Sequence, residues 1–150
     1  PKIWPVRKFN QLLKSLYKKY SNLNFILVGS IAEKEKYFND VVKDINRNNI
    51  IDIMGETLTQ TFAYIKKSNL FIGNDSGLMH LSAASKTFTI GLFGPTNDKI
   101  YAPYGNNCYT LRTKENYLHF TNIIIKKELS YMHSIRAQDV IDLIENKRLL

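Results

Sequence analysis

Four short apolar runs in this chain each stop at a glycine. Residues 24–28 end at Gly29, residues 50–54 at Gly55, the run from Leu70 at Gly73, and residues 88–93 at Gly94. The stretches between them space their apolar residues helically. Residues 6–20 carry Phe9, Leu12, Leu13, Leu16, Tyr17 and Tyr20, and the stretch after Gly29 carries Tyr37, Phe38, Val41, Val42 and Ile45. Residues 57–67 carry Leu58, Phe62 and Ile65, and residues 77–85 continue the pattern. Residues 108–111 read as a last short strand and residues 134–147 as a closing helix with Ile135, Val140, Ile141 and Ile144 inward. Continuously apolar strands alternating with helices predict an α/β domain, a parallel sheet with helices on both faces. With 44% hydrophobic and 23% charged residues over 150 positions, one globular domain with a core is expected. Residues 112–133 show no readable pattern.

Ligands of such sheets bind beyond the carboxyl ends of the strands. Gly29, Gly55, Gly73 and Gly94 all fall at that edge, together with the loops that follow them. The most informative loop is Gly73-Asn74-Asp75-Ser76-Gly77-Leu78-Met79-His80. It reads as a strand end, a polar turn and a helix start, with Ser76 or Asp75 at the N-cap. Unpaired N–H groups and the helix dipole converge there, which suits phosphate, and Gly77 admits a ligand close to the backbone. A second loop, Gly94-Pro95-Thr96-Asn97-Asp98, closes over the same place.

Other classes are disfavoured. No P-loop, dinucleotide fingerprint or serine-hydrolase elbow is present. The single cysteine, Cys108, allows no internal disulfide, and His80, His119 and His133 lack metal-site spacing. No apolar run approaches the roughly 18 residues of a membrane span. The net charge of +8 comes from lysines scattered along helix faces, which argues against nucleic acid. It leaves room for peripheral contact with an anionic inner membrane surface.

Several residues have a plain reading beside a functional one. Glu33 either compensates the dipole of its own helix or accepts hydrogen bonds from ribose hydroxyls. Asp75 either caps the helix or meets sugar hydroxyls just past the phosphate. His80 is either structural or lines the anion loop one turn on from Ser76. Lys2 taken alone is an exposed terminal lysine, and Trp4 a packing residue at a helix entrance.

Lys2-Ile3-Trp4-Pro5, the strand Phe25–Gly29 with Glu33, the segment Gly73–Ala84, and Leu92-Phe93-Gly94-Pro95-Thr96 with Tyr101–Gly105 together resemble glycosyltransferase family 9, the heptosyltransferases. The resemblance covers residues 1–111 well and the rest loosely. It implies the Rossmann-like C-terminal domain of a GT-B enzyme, the half that holds the nucleotide-sugar donor. By this resemblance Lys2 reaches the donor's phosphate and sugar, Glu33 holds the ribose, and Thr57 lies where the chain passes adenine. Asp75 lies near the sugar, Ser76, Gly77 and Leu78 bind the diphosphate, and His80 and Thr96 line the pocket. The family's catalytic base belongs to an N-terminal acceptor domain, so no catalytic residue is expected here. A piece of a longer protein is the expectation, with an ADP-sugar as substrate, no cofactor or metal, a lipid-linked or oligosaccharide acceptor, and a cytoplasmic setting. A stand-alone nucleotide-sugar-binding module is the alternative.

Overall fold

The computed structural model describes residues 1–150. The elements run α1 (Val6–Lys19), β1 (Phe25–Leu27), α2 (Ile31–Val41), β2 (Ile50–Asp52), α3 (Leu58–Lys67) and β3 (Leu70–Asn74). They continue α4 (Gly77–Ala84), β4 (Phe88–Phe93), α5 (Asp98–Tyr101), β5 (Cys108–Arg112), α6 (Tyr117–Thr121) and α7 (Ala137–Lys147). Every strand pairing is parallel, as the alternating pattern predicts.

The strands do not form one continuous sheet. β1 pairs with β2, and β3, β4 and β5 form a separate sheet in that order. Between β1 and β3 lies a largely apolar cavity of about 580 Å³, walled by α1 and α2 residues such as Phe9, Leu13, Tyr37 and Phe38. Helix α2 therefore buries no residue fully, although its sequence suggests an inward face. Val42 and Ile45, read from sequence as part of that face, are buried just beyond the helix end.

The main core lies where α1 and α7 cover the three-stranded sheet. Trp4, Leu12, Leu16, Ile90, Leu92, Ile135, Val140 and Ile144 are buried in it together. Central β4 is the most enclosed strand, with five of its six residues buried, as expected for a parallel strand covered on both sides. On the opposite face Met79 of α4 joins Ile65, Phe71 and Phe93 in a smaller cluster. Gly91 permits this contact, because a Cβ there would stand 2.4 Å from the Met79 sulfur. The Ser82 and Thr89 hydroxyls share a buried hydrogen bond of 2.7 Å that ties α4 to β4.

The chain start is bound into the domain. The Trp4 indole is fully buried, meets the Phe9 ring edge-on at 4.8 Å, and donates to the Ile135 carbonyl at 3.0 Å. Buried Lys8 donates to the carbonyls of His133 and Ile135. Burial, followed by the neighbouring Arg7 charge, pulls its ammonium below the ordinary lysine value.

Three sequence expectations shift. The closing helix starts at Ala137 rather than 134, with Ile135 still in the core. On α3 the buried residues are Thr61 and Ile65, while Leu58 is 65% exposed at the helix entrance. Residues 112–133 hold the end of β5 and the short α6, too short to show a period.

Candidate functional site

The carboxyl ends of the strands gather the predicted residues, and the entrance to α4 is the focus. Ser76 occupies the N-cap with extended backbone, yet makes no side-chain capping bond. Asp75 does not cap either. Its N–H donates to the Leu92 carbonyl at 3.2 Å, and its carboxylate accepts from Lys2 Nζ at 2.8 Å. That carboxylate is 8% exposed while the Lys2 side chain is 47% exposed, so the lysine screens a largely enclosed acid from above. Asn74 fixes the chain start beside them: its Oδ1 accepts the Trp4 N–H at 2.9 Å.

The N–H groups of Ser76, Gly77 and Leu78 have no acceptor in the protein. Helix geometry leaves the first N–H groups orphaned unless something caps them. Here a Cβ built on Gly77 would meet nothing within 4 Å. The helix therefore opens onto free space with several donors, a positive dipole end and a lysine: a geometry that takes an oxyanion of a phosphate.

Glu33 stands across the cavity mouth. Its Oε2 accepts from the Ser30 N–H at 2.8 Å and the Ser30 hydroxyl at 2.9 Å, while the Glu33 N–H donates to Ser30 Oγ at 3.2 Å. This reciprocal capping box is the plain role for the residue. Its second oxygen, Oε1, has no protein partner, so the exposed side chain keeps an acceptor for a ligand hydroxyl. Glu33, Gly29, Asn74, Ser76 and Leu78 all line the cavity between β1 and β3.

Thr57 is the N-cap of α3 and is engaged with Gln60 in a second capping box, its Oγ1 donating to Gln60 Oε1 at 2.7 Å. It sits at the β2 end of the same edge and does not line the cavity. His80 is exposed one turn into α4, without a side-chain hydrogen bond. Thr96 lies in the loop after β4; its Oγ1 is buried without a partner.

Arg112 is the organising residue that sequence reading missed. At the end of β5 it reaches the carbonyls of Gly94 at 2.7 Å and Glu115 at 3.2 Å and pairs with Asp98. Its contacts with Gly94, Thr96 and Asp98 had no local signal, since those residues lie 14 to 18 positions upstream. The Ser30–Glu33 and Thr57–Gln60 boxes did carry a local signal in their spacing.

The profile of glycosyltransferase family 9 (heptosyltransferase) matches residues 1–125. The chain belongs to glycosyltransferase family 9. Among this family, lipopolysaccharide heptosyltransferase 3 of Escherichia coli K12 is 26% identical over 141 residues, covering 93% of this chain and 41% of that protein. Lipooligosaccharide heptosyltransferase 2 of Campylobacter jejuni is 31% identical over 86 residues, 55% of this chain and 27% of that protein. A family 9 glycosyltransferase from Veillonella parvula superposes with a TM-score of 0.77 at 25% identity, over 97% of this chain and 42% of that one. The E. coli heptosyltransferase WaaC with ADP gives 0.79 at 20% identity, over 97% and 40%, a likeness of fold. The chain thus spans between 27% and 42% of the length of these relatives. That share fits the expected half of a GT-B enzyme.

Proposed function

We propose that this chain is the donor-binding half of an inverting glycosyltransferase that moves heptose from ADP-heptose to a lipopolysaccharide core or related acceptor. The observation that carries this reading is the uncapped entrance of α4, with Gly77 open to a ligand and Lys2 beside it. Family membership supports it, as do relatives named for heptosyl transfer and a structural neighbour described with ADP-2-deoxy-2-fluoro heptose.

In this reading the diphosphate sits against the N–H groups of Ser76, Gly77 and Leu78. The nucleoside extends toward Glu33, whose free oxygen accepts from the ribose, and past the backbone at Thr57. The sugar lies near Asp75, with His80 and Thr96 lining the pocket. An acceptor hydroxyl attacks the anomeric carbon in line as the bond to the β-phosphate oxygen breaks. The hydroxyl proton passes to a base on an acceptor-binding half, and ADP departs. The charge that grows on the leaving diphosphate meets donors already aimed at it, which is the strongest way for a protein to lower such a barrier. Lys2 adds a positive charge beside the phosphate while it remains paired with the enclosed Asp75 carboxylate.

Calorimetric titration of ADP, UDP and GDP into the chain tests the assignment. ADP should bind, and Gly77→Val should weaken it roughly tenfold or more by pushing the diphosphate off the amides. Equal ADP affinity in the unaltered and Gly77→Val proteins would remove α4 as the anion site.

A further inference from the structure

We propose that Arg112 is a positioning residue for the donor sugar, acting through the hydroxyl of Thr96. The inference rests on the α4 entrance being the diphosphate site, and deepens it. Arg112 pairs in register with Phe93 at the ends of β5 and β4, so its guanidinium reaches the loop that leaves β4. Nη2 donates to the Gly94 carbonyl at 2.7 Å, and Nη1 reaches the Thr96 carbonyl at 3.5 Å and pairs with Asp98. Nε and Nη2 also reach the Glu115 carbonyl, at 3.3 and 3.2 Å. One rigid fork therefore fixes residues 94, 96 and 98 at once, which a lysine ammonium cannot reproduce. The Arg112 and Asp98 side chains are only 20% and 22% exposed, so this is not a loose surface pair.

The loop so held stands next to the α4 entrance. Asn74 of β3 faces Leu92 of β4 in register, and Asp75 donates to the Leu92 carbonyl. Thr96 therefore lies in the loop that leaves β4, the strand adjoining the one that delivers Asp75, Ser76 and Gly77. Its Oγ1 is the chain's one buried side-chain polar atom without a hydrogen-bond partner. An unpaired buried hydroxyl is unfavourable, and the guanidinium contacts on either side hold the loop in that arrangement. A sugar carried on a diphosphate at α4 brings hydroxyl groups to this edge, the chemistry that gives Thr96 Oγ1 a partner after a turn about χ1.

The test is the ratio of ADP-heptose affinity to ADP affinity, measured by calorimetry. Thr96→Val removes the hydroxyl at nearly constant shape, and Arg112→Lys keeps the charge for Asp98 without the fork. Each should lower the ratio about tenfold, the worth of one good hydrogen bond, while ADP alone still binds. The double variant should lose no more than either single one, because both remove the same contact. Equal losses for ADP and ADP-heptose in Arg112→Lys, or additive losses in the double variant, would reduce Arg112 to a purely structural part and overturn the proposal. An unaltered ratio in Thr96→Val overturns it even where Arg112→Lys fails to fold. Absence of ADP binding in the unaltered chain would instead bring down the donor-site reading and this inference with it.

Discussion

Under the proposed donor site, Gly77 is the residue at which binding and folding can be tested apart. A methyl group there touches no protein atom, so Gly77→Ala should fold normally and gain up to about 0.5–1 kcal/mol from a stiffer unfolded chain. Thermal unfolding measured beside ADP titration should show a melting temperature that holds or rises while affinity falls. Glu33 needs the opposite care, because it serves its own helix. Glutamine also closes a capping box, so Glu33→Gln should leave the melting temperature nearly unchanged. A drop in ADP affinity in that variant then reports the ligand contact. Glu33→Ala mixes the two effects, since losing the cap costs about 1 kcal/mol by itself.

The elements differ in how much of themselves they show in sequence. β4 and the α4 helix before it were legible because a covered parallel strand is mostly apolar, and Phe88–Phe93 has Thr89 as its one polar side chain. The α4 entrance was legible because Asn-Asp-Ser-Gly before an apolar helix leaves few other conformations. The idle capping position at Ser76 was not, because sequence offers a hydroxyl there without saying whether it turns inward. Nor was Arg112, whose reach depends on the register of β4 against β5. The start of α7 lies three residues later than the sequence pattern suggests, because Ile135 is buried ahead of the helix rather than within it. In fact the Asp139 carboxylate closes the helix entrance by accepting from the Arg136 N–H at 2.8 Å and from its guanidinium at 3.0 Å. The Arg136 hydrogen bond holds the Asp139 carboxyl below its ordinary value. A depressed folded-state pKa contributes stability above the ordinary carboxylate range and loses it as the pH falls through the folded value. Asp139→Asn should therefore cost about 1 kcal/mol in urea unfolding at pH 7, and the cost should shrink as the pH falls through the acid range.

At the scale of the whole molecule, the break between β1 and β3 divides the domain unequally. β4 is buried along nearly its whole length, whereas β1 and β2 contain no buried residue and neither does α2. Hydrogen exchange should show the slowest amides in β4 and its neighbours. The β1–β2 pair should exchange faster through openings short of global unfolding. Uniform protection across all five strands would contradict a divided sheet. No helix is long and apolar enough to cross a membrane.

The first four residues concentrate three duties in a very short length of polypeptide. Lys2 supplies the counter-charge for Asp75, the Trp4 amide holds the Asn74 side chain, and the Trp4 ring fills the core. Removing Lys2 or Trp4 would therefore cost far more than the length of the segment suggests. Starting expression at Val6 would look harmless on a map of helices and strands, yet it would empty the middle of the fold and unmoor the turn that carries Asn74 and Asp75.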